Sequence, residues 1–207
     1  MSDAQTTPRP TSSCCGDQSA ASACCGGAAT TEATAVPSSG ASPQRRRLNI
    51  ELLVIDLESC TRCVPTGEQL RNAIQLIAPA ADAMDIGITY RETVVQTAEE
   101  AKARALLSSP TIRINGRDIA QDIRESECES CGDLTGGDVS IDCREWHYRG
   151  QVYSAAPLPF LIETLMEAML TVDERPPVTP EPLADLPENL ARYFANKKPA
   201  AGSGCCC

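Results

Sequence analysis

Large aromatic side chains are scarce here, at 3% of 207 residues, against 15 prolines and 13 glycines. A globule using the whole length would carry more bulky apolar groups, so part of the chain is expected to stay unfolded. Positive charge is also short: 18 bases face 28 acids, a formal charge of -10. That argues against nucleic acid and anionic membrane surfaces as partners, since both need clustered bases. No segment approaches the roughly 20 apolar residues of a membrane helix. The first residues, MSDAQTTPRPTSSCCGDQSA, lack a basic-then-apolar secretion signal. A cytoplasmic, reducing location is therefore expected.

What the chain has in excess is cysteine: 12, at positions 14, 15, 24, 25, 60, 63, 128, 131, 143, 205, 206 and 207. Under reducing conditions such thiols do redox or metal chemistry rather than stapling. Adjacent Cα atoms sit about 3.8 Å apart, whereas disulfides prefer about 4.4–6.8 Å. Cys14-Cys15, Cys24-Cys25 and Cys205-Cys206-Cys207 therefore make poor internal disulfides and read better as soft-metal ligands or as thiol donors to partners elsewhere.

Three zones follow from composition. Residues 1–47 are Ser-, Thr-, Ala-, Gly- and Pro-rich, a disordered tail carrying the two Cys pairs and ending at Arg45-Arg46-Arg47. Residues 48–172 form the folded unit. Residues 173–207 form a Pro-rich tail with one short helix around Leu190, Tyr193 and Phe194, ending in the three cysteines.

Within the folded unit, residues 48–57 alternate and then run apolar, as a central buried strand does. Leu70, Ala73, Ile74 and Ile77 recur at helical spacing, with Thr66 and Gln69 as a capping box. A second strand is predicted at 86–95 and a second helix at 97–107. A third strand over 110–114 stops at the turn dipeptide Asn115-Gly116. The acidic stretch 118–142 breaks the pattern and reads as a largely solvated loop. A strand or hairpin around Arg149-Gly150 precedes a helix holding Leu158, Leu161, Ile162, Leu165, Met166 and Met169, both methionines at core spacing. The order βαβαββα predicts an α/β fold, a mixed sheet with helices on both faces and an antiparallel final strand pair.

Cys60-Thr61-Arg62-Cys63 falls between the first strand and the first helix. Unpaired amides at a helix start favour thiolate, and Arg62 adds positive charge. The expected roles are Cys60 as exposed nucleophile and Cys63 as resolving thiol. The same spacing is also half of a zinc site.

This arrangement resembles the thioredoxin-like superfamily, with Ser109-Pro110-Thr111 at the position of its cis-proline loop, which in that fold faces the CxxC. More narrowly, Cys60-Thr61-Arg62-Cys63, Ser109 to Gly116 and Asp142 to Gly150 are similar to a bacterial thioredoxin-like family, domain of unknown function 2703, over roughly residues 48–170. The resemblance implies the fold and a redox-like site containing Cys60, Cys63, Arg62 and Pro110. No Trp precedes Cys60, and Thr-Arg replaces thioredoxin's Gly-Pro, so thioredoxin's potential is not implied.

Cys128-Glu129-Ser130-Cys131 and Cys143 form a second group. Three readings stay open: structural zinc with His147, a disulfide relay to Cys60 and Cys63, or three thiolates for a soft metal or metalloid. A strand carrying both Cys143 and His147 would separate them by about 13 Å, too far to share a zinc. Nearby acids (Glu125, Glu127, Glu129 and Asp133) are expected to raise the thiol pKa values. Two functions result. One is a thiol-disulfide redox protein linked to arsenic or mercury handling, with a thiol or disulfide partner. The other is a non-enzymatic protein that binds or traffics zinc, arsenic(III) or mercury(II).

Overall fold

The computed structural model describes residues 46–120, 122–137 and 139–198, all within one unit of the chain. The tail cysteines Cys14, Cys15, Cys24, Cys25, Cys205, Cys206 and Cys207 lie outside those residues.

The first strand, β1 (Arg46–Val54), alternates buried and exposed positions, then ends with Leu52, Leu53 and Val54 wholly buried. It starts before and stops short of the predicted 48–57. Helix α1 (Cys63–Ala83) follows, burying Cys63, Thr66, Gly67, Leu70, Ala73, Ile77 and Ala81 along one stripe. A Cβ on Gly67 would lie 3.3 Å from Leu52 Cδ2, so the missing side chain lets α1 sit closely on β1. The capping box is corrected: α1 begins three residues earlier, and Thr66 is an interior residue whose Oγ1 accepts the Ala156 N–H at 3.2 Å. Strand β2 (Ile86–Val94) and helix α2 (Ala98–Ala103) come next, the helix capped by Thr97 Oγ1 accepting the Glu100 N–H at 3.1 Å.

Strand β3 (Thr111–Ile114) turns through Asn115 and Gly116, at φ 51° and 81°, into β4 (Arg117–Asp118), as that dipeptide predicts. The main sheet runs β2-β1-β3-β4. β1 is parallel to β2, with Leu52 opposite Glu92, and antiparallel to β3, with Leu52 opposite Ile112. The sheet is therefore mixed. All four β3 residues are buried, so both faces of the sheet are covered there.

The acidic stretch is more ordered than predicted. It holds β5 (Glu125–Glu127), helix α3 (Glu129–Leu134) and β6 (Asp142–Arg144), with β5 and β6 paired antiparallel. The hairpin expected around Arg149-Gly150 is present, but the predicted antiparallel pairing with the third strand is not. β7 (Trp146–Tyr148) and β8 (Gln151–Tyr153) form their own hairpin rather than joining β3, because Arg149 and Gly150 fold the chain back at φ 49° and 76°. Helix α4 (Leu158–Leu170) packs on α1 through Leu161, Leu165 and Met169. Met166 is 48% exposed, which corrects its assignment to the core. Helix α5 (Glu188–Asn196) contacts α2 and buries Leu190 and Tyr193. No helix among the described residues is long and apolar enough to cross a membrane.

Candidate metal centre

Beyond β1 the chain turns around one carboxylate. Asp56 Oδ1 accepts the backbone N–H groups of Glu58 (3.1 Å), Ser59 (2.7 Å) and Cys60 (2.6 Å). That turn sets Cys60 immediately before α1, where its sulfur accepts the Cys63 N–H at 3.3 Å. A second turn approaches from the acidic stretch. Cys128 precedes α3, and its carbonyl accepts the N–H groups of Cys131 and Gly132, both at 3.0 Å. Ser130 clasps the two turns together: its Oγ accepts the Thr61 N–H at 3.1 Å and lies 3.1 Å from Thr61 Oγ1.

Cys143 reaches the same place from β6, where it pairs with Ser126, two residues before Cys128. The sulfurs of Cys60, Cys128, Cys131 and Cys143 all lie within 4.8 Å of one another. Cys131 is central, with its sulfur 3.5 Å from that of Cys60 and 3.1 Å from that of Cys143. Zinc–sulfur bonds of about 2.3 Å place the sulfurs of a tetrahedral centre about 3.8 Å apart, inside this spread. The four cysteines are buried, with Cys128 at 3% exposure and the others at 0%. Four buried thiols are thus positioned to hold a metal ion, and four protein ligands make the site a closed one. All five described cysteines are free thiols.

Cys63 stands outside the four. Its sulfur lies 3.4 Å from Ser109 Oγ, and that hydroxyl also accepts the Ile55 N–H at 3.1 Å. Ser109 O accepts the Arg144 N–H at 2.8 Å, and the Ser109–Pro110 bond is cis. The loop before β3 therefore sits on the Cys63 side of the turn. The exposed nucleophile is corrected: Cys60 and Cys63 are both at 0% exposure, because β6 and α3 close over them.

Arg62 is buried and its guanidinium bridges backbone. It donates to Cys143 O (3.0 Å), Ser126 Oγ (2.9 Å) and Glu127 O. One side chain thereby pins β5 and β6 to the start of α1. Its guanidinium meets the centre at the carbonyl of Cys143. His147, on β7, is half-exposed, pairs with Glu145 at 3.5 Å and takes no part. It lines instead a separate cavity of about 570 Å³ with Trp146, Phe160 and Arg124.

Proton affinities in the cluster follow mutual hydrogen bonding. Thiols of Cys128, Cys131 and Cys143 facing Cys60 hold its pKa far below the ordinary range. Cys131 and Cys143 bring Cys128 down to about 6. Hydrogen bonding with Cys128 pushes Cys131 and Cys143 up, and hydrogen bonding with Cys60, then burial, pushes Cys63 up. The acids around Cys128 are not the cause expected from the sequence. Glu125 is turned to Ser108 Oγ (2.6 Å), and Glu127 accepts from Ser140 Oγ (3.0 Å).

The sequence reading brought the second group to Cys60 and Cys63 only as a disulfide relay and did not count Cys60 as a fourth metal ligand. The available signal was two equal C-x2-C spacings, each before a helix. It also missed Asn189, whose Oδ1 accepts the Asp142 N–H at 2.9 Å beside Cys143, and Tyr193, whose hydroxyl donates to Ile55 O at 3.4 Å. Neither residue type carries a ligand signature. No curated protein and no solved structure matches the chain. One family model does, over residues 48–165, and by that match the chain belongs to the family described as domain of unknown function DUF2703.

Proposed function

We propose that this protein binds a thiophilic ion through the thiolates of Cys60, Cys128, Cys131 and Cys143. The observation that carries the reading is the convergence of four sulfurs, from three separate segments, within 4.8 Å. Closed four-thiolate sites suit zinc, and the same soft donors suit mercury(II) or, through three of them, arsenic(III). Arg62 supplies one fixed positive charge against the excess negative charge of four thiolates around a dication. The seven tail cysteines are further thiolates for the same class of ion, and free thiols suit a reducing, cytoplasmic location.

A second reading is thiol-disulfide exchange with a thiol or disulfide partner. Cys60 is its nucleophile, Cys63 its resolving thiol, and Arg62 and Pro110 are its supporting residues. It is favoured by the order β1-α1-β2-α2-β3-β4, by the sheet order β2-β1-β3-β4 and by Ser109 beside Cys63. The burial of both thiols disfavours it, since exchange needs sulfur-to-sulfur contact with the partner.

Native mass spectrometry of the full chain under reductant, before and after chelator, tests the first reading. Cys131→Ser is expected to carry one ion fewer than the parent, and an unchanged count would overturn it. For the second, Cys63→Ser is expected to trap a mixed disulfide through Cys60 if exchange occurs.

A further inference from the structure

We propose that Cys60 is shared between two states: a metal ligand when the protein is reduced, and half of a Cys60–Cys63 disulfide when a peroxide oxidises the cluster, so that oxidation releases the ion. This rests on the metal-binding reading above.

The centre has five buried thiols and uses four. The fifth, Cys63, is tied to Cys60 by its own backbone, with its N–H on the Cys60 sulfur at 3.3 Å, and its side chain is otherwise held only by Ser109 Oγ at 3.4 Å. A structural site needs no such neighbour. A site that must surrender one ligand does, because a nearby thiol can take that sulfur out of coordination.

Solvent meets the cluster at Cys128, the one ligand with any exposure, at 3%. There the Cys128 sulfur attacks a hydroperoxide: the O–O bond breaks, an S–O bond forms and two electrons pass from sulfur to the peroxide. The Cys60 thiol, within 4.8 Å, attacks that sulfenic sulfur. An S–S bond forms, the S–O bond breaks and water leaves. Cys63 then attacks the Cys60 sulfur and returns Cys128 as a thiol. The net change is two thiols and one hydrogen peroxide to one disulfide and two waters. Three thiolates remain, and the closed four-ligand site is lost.

The rival product is plain in the geometry: Cys131 and Cys143 lie 3.1 Å apart, but a bridge between them removes two ligands from the ion, whereas a Cys60–Cys63 bridge removes one and draws on the thiol outside the four.

The test uses the full chain loaded with zinc, treated with hydrogen peroxide, with released zinc read by a chromophoric chelator and disulfides mapped by peptide mass spectrometry. A Cys60–Cys63 bridge forming in step with zinc release, both reversed by dithiothreitol, is the expected result. Cys63→Ser, and Cys63→Ala as a second variant, should still bind zinc when reduced but release it about tenfold more slowly. A Cys131–Cys143 bridge, or release as fast in both variants, would overturn this inference while leaving the metal site standing. Reduced protein that never retains zinc at these four cysteines would overturn both.

Discussion

Cys60–Cys63 and Cys128–Cys131 share a spacing, and each lies where chain passes into a helix, α1 in one case and α3 in the other. The second turn gives both sulfurs to the cluster, while the first gives one and withholds the other. The difference comes from what each helix packs on. α1 has 21 residues and lies on the sheet, so its first helical residue, Cys63, is drawn into the core beside Ser109. α3 has six residues in the connection between the paired strands β5 and β6, and its Ser130 is fastened to Thr61 at the start of the other turn. Spacing selects what chemistry two cysteines can do together. The neighbouring helix and strands decide whether they do it together or apart.

Breaking that contrast most severely should be Cys131→Ser, since Cys131 touches both Cys60 and Cys143. Its expected effect is loss of the bound ion, whereas Cys63→Ser keeps it. An ion at a thousand times its Kd adds about 4 kcal/mol to stability. That stabilisation moves Tm by about 8–16 °C in a chain of this size. Calorimetry with and without chelator reads the difference, and equal chelator shifts in the two variants would erase the contrast.

Next in size is Arg62→Met, which removes the donors that join β5 and β6 to α1. Leaving those buried acceptors unpaired is expected to cost about 3 kcal/mol in urea unfolding. A cost below about 0.5 kcal/mol, the range of ordinary surface substitutions, would show that the two turns hold together without it.

Asn189→Ala is expected to cost about 1–2 kcal/mol. It should also speed exchange of the bound ion, because Asn189 braces Asp142, the residue before Cys143. Isotopic zinc exchange followed by mass spectrometry checks the second effect, and an unchanged exchange rate would separate α5 from the centre.

The smallest effect is one of pH. In metal-free protein Cys128 is brought down to about 6 by hydrogen bonding with Cys131 and Cys143, so its thiolate adds stability that is full above the ordinary thiol value of 9.0 and is lost as pH falls from there through 6. Alkylation of Cys128 should accordingly rise with a midpoint near pH 6. A midpoint near the ordinary value of about 8.5 would contradict the hydrogen bonding drawn among the four thiols.

Much of the frame was legible in the sequence because its signals are local. The alternation of β1, the stripe Leu70–Ile77 of α1 and the dipeptide Asn115-Gly116 each act within a few residues. The acidic stretch was not, since its strands are three residues long and its order comes from distant partners such as Thr61, Arg62 and Asn189. Of the site, all four ligands were named as functional, but Cys60 was assigned to redox chemistry and the other three to metal. The paired C-x2-C spacings hinted at a shared site and the relay reading brought the two groups into contact, but that Cys60 rather than Cys63 completes the four depends on the fold that closes the 71 residues between Cys60 and Cys131.

Cobalt(II) titration of the full-length chain with Cys14, Cys15, Cys24, Cys25, Cys205, Cys206 and Cys207 replaced by serine tests the central claim most directly. The account predicts one equivalent bound, with the ligand-field bands of tetrahedral cobalt and thiolate-to-cobalt charge transfer, both abolished by Cys131→Ser. The absence of a tetrahedral thiolate spectrum, or one that survives that substitution intact, would contradict it.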